Sequence, residues 1–220
     1  MNNNIAVYSA ALGNAVIRDP HFVSKNFDYI CFTDNAEVQS KVYAINCGPK
    51  QENPRLKAKE YKLQPQVYLS QYERSLWVDS GIEIISDSLY EELLPYMHVP
   101  FVLFETPTRH TVAEEVEYCL KHNKTGSERA KEQYEFYRAQ GFPDTSGLMK
   151  GGFMLRQHNH PIIKKLDDLW WEHNQKFSTR DEVSLPFVIW KLGLVKDLDY
   201  CILPYDMRDN KLIKVHDPLI

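Results

Sequence analysis

The chain has 220 residues, of which 43% are hydrophobic and 12% aromatic. This length and composition are enough to bury a sizeable core, so we expect residues 1–220 to form one α/β domain. The composition also excludes a disordered chain. The formal net charge of −4 argues against a general nucleic-acid binder, which would carry a basic excess.

The sequence contains no stretch near the roughly 20 apolar residues that a membrane span requires. The first apolar stretch, at Ile5, is not preceded by the basic segment of a signal peptide. The four cysteines have no C-x-x-C spacing, so we expect reduced thiols. The sequence therefore predicts a cytoplasmic protein without an integral membrane segment.

Seven short runs rich in Val, Ile, Tyr and Phe predict β-strands. They are Ile5–Ala10, Phe27–Thr33, Val42–Asn46, Ser75–Val78, Phe101–Glu105, Gly152–Arg156 and Tyr200–Leu203.

Helix-start signals lie between these strands. Pro at the first helical position and the pattern Thr-x-x-Glu both predict a helix N-terminus. These signals occur at Asn53-Pro54, Thr111, Thr125, Pro161 and Thr179. Strands that alternate with helices predict a mostly parallel sheet covered by helices, with ligands bound at the carboxyl ends of the strands.

The segment Leu76-Trp77-Val78-Asp79-Ser80-Gly81 places a carboxylate directly after a predicted strand. Asp79 could bind a divalent cation or a ribose hydroxyl there, and Gly81 would allow a close approach to the backbone. A simple turn at the end of a strand explains the same residues equally well.

The predicted helix that begins at Pro54 carries Arg55, Lys59 and Lys62 at positions i, i+4 and i+7. This spacing puts the three basic side chains on one face, where a bound diphosphate would offset their mutual repulsion. A solvated basic face is the alternative.

Polar residues and glycines also lie next to other predicted elements. Asp34 follows the second strand, and Arg109 lies at a strand-to-helix turn that suits an anion. Gly151 and Gly152 lie at the start of a strand, where a glycine pair indicates a bulge or a close approach by a ligand. Each of the four also has an ordinary structural explanation, in a turn, a rim ion pair or a strand irregularity.

The segment Ser178-Thr179-Arg180-Asp181-Glu182 puts two carboxylates in the first turn of a helix. The helix dipole alone accounts for both, and a sugar-facing role is the alternative. His216 could complete a metal site with Asp79, although a lone surface His is the simpler explanation. The chain has no phosphate-loop or dinucleotide-binding glycine motif, and no zinc-protease or G-x-S-x-G motif.

Taken in order along the chain, these segments resemble a known family. Phe-Asp-Tyr-Ile-Cys-Phe-Thr-Asp, Leu-Trp-Val-Asp-Ser-Gly-Ile-Glu-Ile, Gly-Gly-Phe-Met-Leu-Arg and Arg-Asp-Glu-Val-Ser-Leu-Pro-Phe occur in succession. The pattern is similar to that of nucleotide-sugar glycosyltransferases of the GT-A fold. More narrowly, it resembles the small bacterial and plant branch long described as a domain of unknown function.

The resemblance implies a GT-A-like, Rossmann-like sheet and a role for each matched position. Asp181 would face the reacting sugar as the catalytic carboxylate, and Asp79 and His216 would hold Mn²⁺ or Mg²⁺. The remaining positions would bind the donor or the second substrate. The donor nucleotide would lie against Ser9, Ala10, Asp34, Arg55, Lys59, Lys62 and Asp79, and the substrate sugars against Arg109, Gly151, Gly152 and Glu182.

The implied reaction transfers a sugar from a UDP- or GDP-sugar to a hydroxyl acceptor, as in the synthesis of a glycan or polysaccharide. The chain departs from the family's D-x-D motif, because Asp79-Ser80-Gly81 lacks the second carboxylate. Two alternatives therefore stay open. One is a nucleotide-sugar hydrolase or nucleotidyltransferase, and the other is a module that binds nucleotide sugars without catalysis.

Overall fold

A computed structural model describes residues 5–106 and 108–216. Its strands are β1 (Ile5–Ala11), β2 (Asp28–Thr33), β3 (Ala44–Cys47), β4 (Arg74–Val78), β5 (Ile82–Ile84), β6 (Phe101–Glu105), β7 (Met149–Arg156), β8 (Tyr200–Leu203) and β9 (Ile213–Val215). Its helices are α1 (Pro54–Leu63), α2 (Pro65–Tyr68), α3 (Leu89–Leu93), α4 (Val112–Lys121), α5 (Ala130–Ala139), α6 (Pro161–Lys176) and α7 (Asp181–Leu192).

Seven strands form the central sheet in the order β3-β2-β1-β4-β7-β6-β8. All neighbouring pairs are parallel except those of β7, which runs antiparallel to β4 and β6. The predicted α/β fold with a mostly parallel, helix-covered sheet is therefore confirmed, and its strand arrangement is Rossmann-like. All seven predicted strands are present, with ends that differ by up to three residues.

A second sheet pairs β5 with β9 in antiparallel register, and the sequence analysis missed both of its strands. Each has only three residues, which is too short for a periodic pattern to stand out. This small sheet carries the segment after β4 and the segment that ends at His216 to the same edge of the central sheet.

Two buried clusters pack on opposite faces of the central sheet because side chains alternate along its strands. In β1, Ala6, Tyr8 and Ala10 belong to the cluster that includes residues of α1 and α4–α7. Ile5 and Val7 belong to the other, with residues of α3 and the small sheet. Within the ranges described, no helix has the length and apolar character needed to cross a membrane.

The caps of the helices follow the sequence signals in part. Asn53 accepts a hydrogen bond from the Leu56 amide at the start of α1, and Thr111 accepts one from the Glu114 amide at the start of α4. The capping boxes predicted at Thr125 and Thr179 were wrong, because α5 begins at Ala130 and α7 at Asp181. Instead, Glu128 accepts a hydrogen bond from the Gly126 amide and Thr179 accepts one from Arg55.

Candidate active site

A cleft of about 810 Å³ opens at the edge of the sheet where β1 and β4 end and β7 begins. This volume lies within the range of about 300–1,000 Å³ that is typical of ligand sites. Ten of the predicted site residues line it: Ala10, Arg55, Lys59, Lys62, Asp79, Gly151, Gly152, Asp181, Glu182 and His216. The carboxyl ends of the parallel strands therefore gather most of the residues that the sequence singled out.

The centre of the cleft is a network of two lysines and two aspartates. The ammonium groups of Lys59 and Lys62 each lie 2.6 Å from Oδ2 of Asp181. Lys62 also lies 3.3 Å from Oδ1 of Asp79. The side chain of Lys62 is 1% exposed and that of Asp181 7%, so the part of the network around Asp181 is largely desolvated. The side chain of Asp79 is 48% exposed and faces the open cleft.

Two secondary-structure elements meet to form this network. Lys59 and Lys62 are one helical turn apart in α1, so both reach the same carboxylate. Asp181 is the first residue of α7, where the helix dipole favours negative charge. Asp79 follows β4 and is fixed by the Trp77 indole, whose Nε1 donates to Oδ1 at 2.6 Å.

The charges perturb one another's pKa values. Burial opposes ionisation of Asp181, yet Lys59 and Lys62 hold the pKa of this carboxyl well below its usual range. Burial lowers the pKa of Lys59 to about 8, although Asp181 acts in the opposite direction. Burial alone would lower the pKa of Lys62, but Asp181 and Asp79 outweigh it and raise this pKa above its ordinary value. At neutral pH the network therefore carries an ionised Asp181 between two ammonium groups.

Gly151 and Gly152 lie at an irregularity in β7, as the sequence predicted. Leu103 of β6 pairs with Met154 but Phe104 pairs with Lys150, so residues 151–153 of β7 have no pairing partner in β6. A Cβ atom at Gly151 would lie 2.9 Å from Oδ2 of Asp181. Only glycine lets α7 bring its carboxylate this close to the strand.

A second group of charges lies beside Asp181. Glu182 is 3.3 Å from Lys150 and 3.7 Å from Arg180. Burial opposes ionisation of Glu182, but Arg180 and Lys150 hold its pKa below the ordinary value. Arg180 also reaches the buried Glu115, at 3.4 Å. The sequence analysis assigns no role to Arg180, and its position next to Asp181 is the signal that could have indicated one.

Three predicted site residues do not line the cleft. Ser9 is buried in β1, and its hydroxyl has no hydrogen-bond partner among the described residues. Asp34 accepts hydrogen bonds from the backbone amides of Gly13 and Gln51, which hold its pKa below the ordinary value. Arg109 pairs with Glu115 at 2.5 Å. The ligand-binding roles of these three residues stay predictions.

The two predicted metal ligands lie on the same cleft but do not form a metal centre by themselves. Lys62 and Trp77 both occupy Oδ1 of Asp79, and Nε2 of His216 lies 2.8 Å from Oε2 of Glu83. Residues 5–106 and 108–216 contain no group of three His, Cys, Asp or Glu side chains suited to hold a metal ion.

A buried clamp fixes the end of α1 that carries Lys62. The carbonyl of Lys62 lies in the last turn of the helix and so has no partner within it. It accepts hydrogen bonds from the Tyr8 hydroxyl, at 3.0 Å, and from Arg156. Arg156 also pairs with Asp167 at 2.6 Å, and neither side chain of this pair is exposed. The sequence gave no signal for this clamp, because its members lie on β1, α1, β7 and α6.

Comparison with known proteins matches this chain to a protein family. Residues 49–216 match the TOD1/MUCI70 glycosyltransferase-like domain family. The chain is also 27% identical over 129 residues to a protein of Arabidopsis thaliana named "Probable hexosyltransferase MUCI70". That similarity covers 54% of this chain and 22% of the plant protein's length.

Proposed function

Because the chain belongs to the TOD1/MUCI70 glycosyltransferase-like family, we propose that it transfers a hexosyl group from a nucleoside diphosphate sugar to a hydroxyl acceptor. UDP- and GDP-sugars are the proposed donors, and a glycan or polysaccharide is the proposed product, on a GT-A type of fold. The observation that carries this proposal is the placement of Asp181 against Lys59 and Lys62 within one cleft.

The charge of the cleft suits a diphosphate leaving group. Its lining contains five Lys and Arg side chains against three Asp and Glu. Negative charge builds on the diphosphate as the bond to the sugar breaks, and fixed cations in a desolvated wall stabilise that charge strongly. We assign this role to Lys59, Lys62 and Arg55, which line one side of the cleft.

We assign Asp181 to the reacting sugar. Its pKa is held so low that it is a weak general base, since efficient proton transfer needs a pKa near the working pH. An ionised carboxylate at this position instead stabilises the positive charge that develops on the sugar ring. This role favours retention of configuration, and Gly151, Gly152 and Glu182 would border the reacting sugar.

The divalent cation expected from the family resemblance stays a prediction. Asp79 and His216 could supply at most two ligand side chains, so diphosphate oxygens and water would have to complete the coordination. The Lys62 ammonium already neutralises part of the charge of Asp79. Addition of Mn²⁺ in the binding experiment below tests whether a cation contributes.

We expect UDP or GDP to stabilise the protein against heat. A ligand present at 100 times its dissociation constant adds about 2.7 kcal/mol, which corresponds to a rise of about 5–10 °C in Tm for a chain of this size. Thermal-shift titrations with UDP, GDP, CDP and their sugars, with and without Mn²⁺, measure this effect. We place the ribose or the diphosphate-bound cation at Asp79, so the shift should be lost in Asp79→Ala. It should be kept in Asp87→Ala, which lies on an exposed turn outside the cleft.

Two other results would redirect the assignment. If no nucleotide shifts Tm in either the presence or the absence of Mn²⁺, the donor site is refuted. If a nucleotide sugar binds but free sugar is released at the same rate with and without acceptors, the protein is a nucleotide-sugar hydrolase.

The pKa of Lys59 predicts how nucleotide binding depends on pH. A bound diphosphate favours the charged ammonium, so affinity should fall as pH rises through about 8, where Lys59 loses its proton. A loss of about tenfold in affinity is expected between pH 7 and 9, because above about pH 8 Lys59 must take up a proton each time a nucleotide binds. The terminal phosphate, with a pKa of about 6, stays ionised over this range.

Isothermal titration calorimetry of UDP or GDP across this pH range is the measurement. Lys59→Arg keeps a charged group at all these pH values and should flatten the profile. A profile of equal slope in both proteins would show that another group controls binding.

A further inference from the structure

A second cavity of about 410 Å³ adjoins the cleft, and nothing above assigns it a ligand. It lies between the start of α1, the loop before α5 and the end of α6. Its lining is Asn53, Arg55, Leu56, Thr125, Gly126, Glu128, Asn174, Gln175, Phe177 and Thr179. The volume falls within the range of about 300–1,000 Å³ typical of small-molecule sites.

The two cavities share a wall. Arg55 and Thr179 line both, and Nε of Arg55 donates a hydrogen bond to Oγ1 of Thr179 at 2.6 Å. Gly126, with φ of +80°, lies directly beneath this hydrogen bond. A Cβ atom at this position would collide with the side chains of both Arg55 and Thr179. Thr179, Arg180 and Asp181 all line the cleft, so the shared wall continues to the end of the cleft that holds Asp181.

The charge of the second cavity differs from that of the cleft. Its lining has one basic side chain, Arg55, and one acidic side chain, Glu128. Such a balanced wall offers a diphosphate no net attraction, in contrast to the cationic cleft. The occupant that this wall suits is therefore a neutral molecule.

The polar side chains of the lining suit a ligand with many hydroxyl groups. Asn174 is 1% exposed, and its Oδ1 has no hydrogen-bond partner within the described ranges. Asn53, Gln175, Glu128 and Thr125 add amide, carboxylate and hydroxyl groups, which together both donate and accept. Phe177 supplies an apolar surface between them, as sugar rings require.

We propose that the second cavity binds the acceptor, and that the acceptor is a neutral pyranoside. This inference rests on the proposed function, which places the donor in the adjoining cleft. The acceptor hydroxyl would pass the wall formed by Arg55 and Thr179 to reach the donor sugar at Asp181. A lining residue that touches only the acceptor should then affect acceptor binding and leave nucleotide binding unchanged.

Saturation-transfer NMR with methyl glucoside, methyl galactoside and methyl xyloside, in the presence of UDP, tests this proposal. We expect transfer of saturation from the wild-type protein to at least one of these glycosides. Gln175→Trp fills the cavity from an exposed position at the end of α6 and should weaken that signal at least tenfold. Gln71→Trp, on an exposed turn outside both cavities, should leave it intact.

The outcomes separate this inference from the one on which it rests. If UDP raises Tm but no glycoside receives saturation, or if Gln175→Trp leaves the glycoside signal unchanged, the acceptor site is refuted while the donor site stands. If Gln175→Trp weakens the glycoside signal and keeps the thermal shift by UDP, the acceptor site is supported. If neither UDP nor GDP shifts Tm in the wild-type protein, the proposed function itself has failed.

Discussion

Replacing Asp181 with Asn is expected to slow sugar transfer about 10²–10⁴-fold while nucleotide binding persists. Asn keeps the shape of the side chain but removes the negative charge that we assign to stabilising the reacting sugar. Lys59 and Lys62 lose their shared partner at the same time, since both contact Oδ2 of Asp181 at 2.6 Å. Loss of Asp181 also removes a charge that raises the pKa of Lys59. At a pH low enough to keep Lys59 charged, both ammonium groups become more available to a diphosphate, so the affinity for UDP or GDP should be unchanged or higher.

The free energy of unfolding of Asp181→Asn should fall, in contrast to its nucleotide affinity. Removing one partner from a buried charge network costs about 3–5 kcal/mol, because the remaining charges are left desolvated. A bound diphosphate restores the missing negative charge, so the rise in Tm on adding nucleotide should be larger in Asp181→Asn than in the wild-type protein. A residue with a purely structural role would lower Tm without this gain.

Steady-state kinetics and thermal-shift titration of the same preparation measure both effects. Asp87→Asn makes the same chemical change on an exposed turn and serves as the matched control. Loss of nucleotide binding together with activity would mean that Asp181 maintains the shape of the site. Full activity in the variant would remove Asp181 from the reaction.

Most of the fold could be predicted because its signals are local. The strands β6 and β8 were predicted to the residue, since each is a short run of apolar side chains between polar turns. The capping box predicted at Thr179 failed for a non-local reason. The hydroxyl of Thr179 binds Arg55, 124 residues away in the sequence, and is therefore not available to cap α7.

The features of the candidate site also divide into those with local sequence signals and those that depend on non-local contacts. Lys59, Lys62 and Asp181 were recognisable because a helical face and a helix N-terminus are properties of short segments. The sequence could not show that both lysines reach one carboxylate, since that contact joins residues 119 and 122 positions apart. Asp34 follows a strand as the sequence indicated, but the structure adds that it accepts hydrogen bonds from two backbone amides of other segments.

The clamp on Lys62 provides the second large expected effect. Arg156→Met should lower the free energy of unfolding by about 1–3 kcal/mol, because Asp167 and the Lys62 carbonyl lose the hydrogen bonds that Arg156 donates to them. Burial already raises the pKa of Asp167 to about 7, against the charge of Arg156. Without Arg156, Asp167 should take up a proton and remain neutral at pH 7.

The double variant Arg156→Met with Asp167→Leu separates stability from function. Replacing both members of a buried ion pair with apolar side chains of similar size is often neutral or stabilising, so most of the lost stability should return. The Lys62 carbonyl still lacks one of its two donors and keeps only the Tyr8 hydroxyl. Chemical denaturation and nucleotide titration of the single and double variants measure the two quantities independently.

Nucleotide affinity in the double variant should therefore stay about 2- to 10-fold below that of the wild-type protein, the equivalent of one hydrogen bond. Tyr8→Phe removes the other donor and should weaken binding by a similar factor with a smaller loss of stability. Wild-type affinity in the stable double variant would show that Arg156 serves the core alone. Reduced affinity with restored stability would show that the buried pair positions the lysine that lies between Asp79 and Asp181.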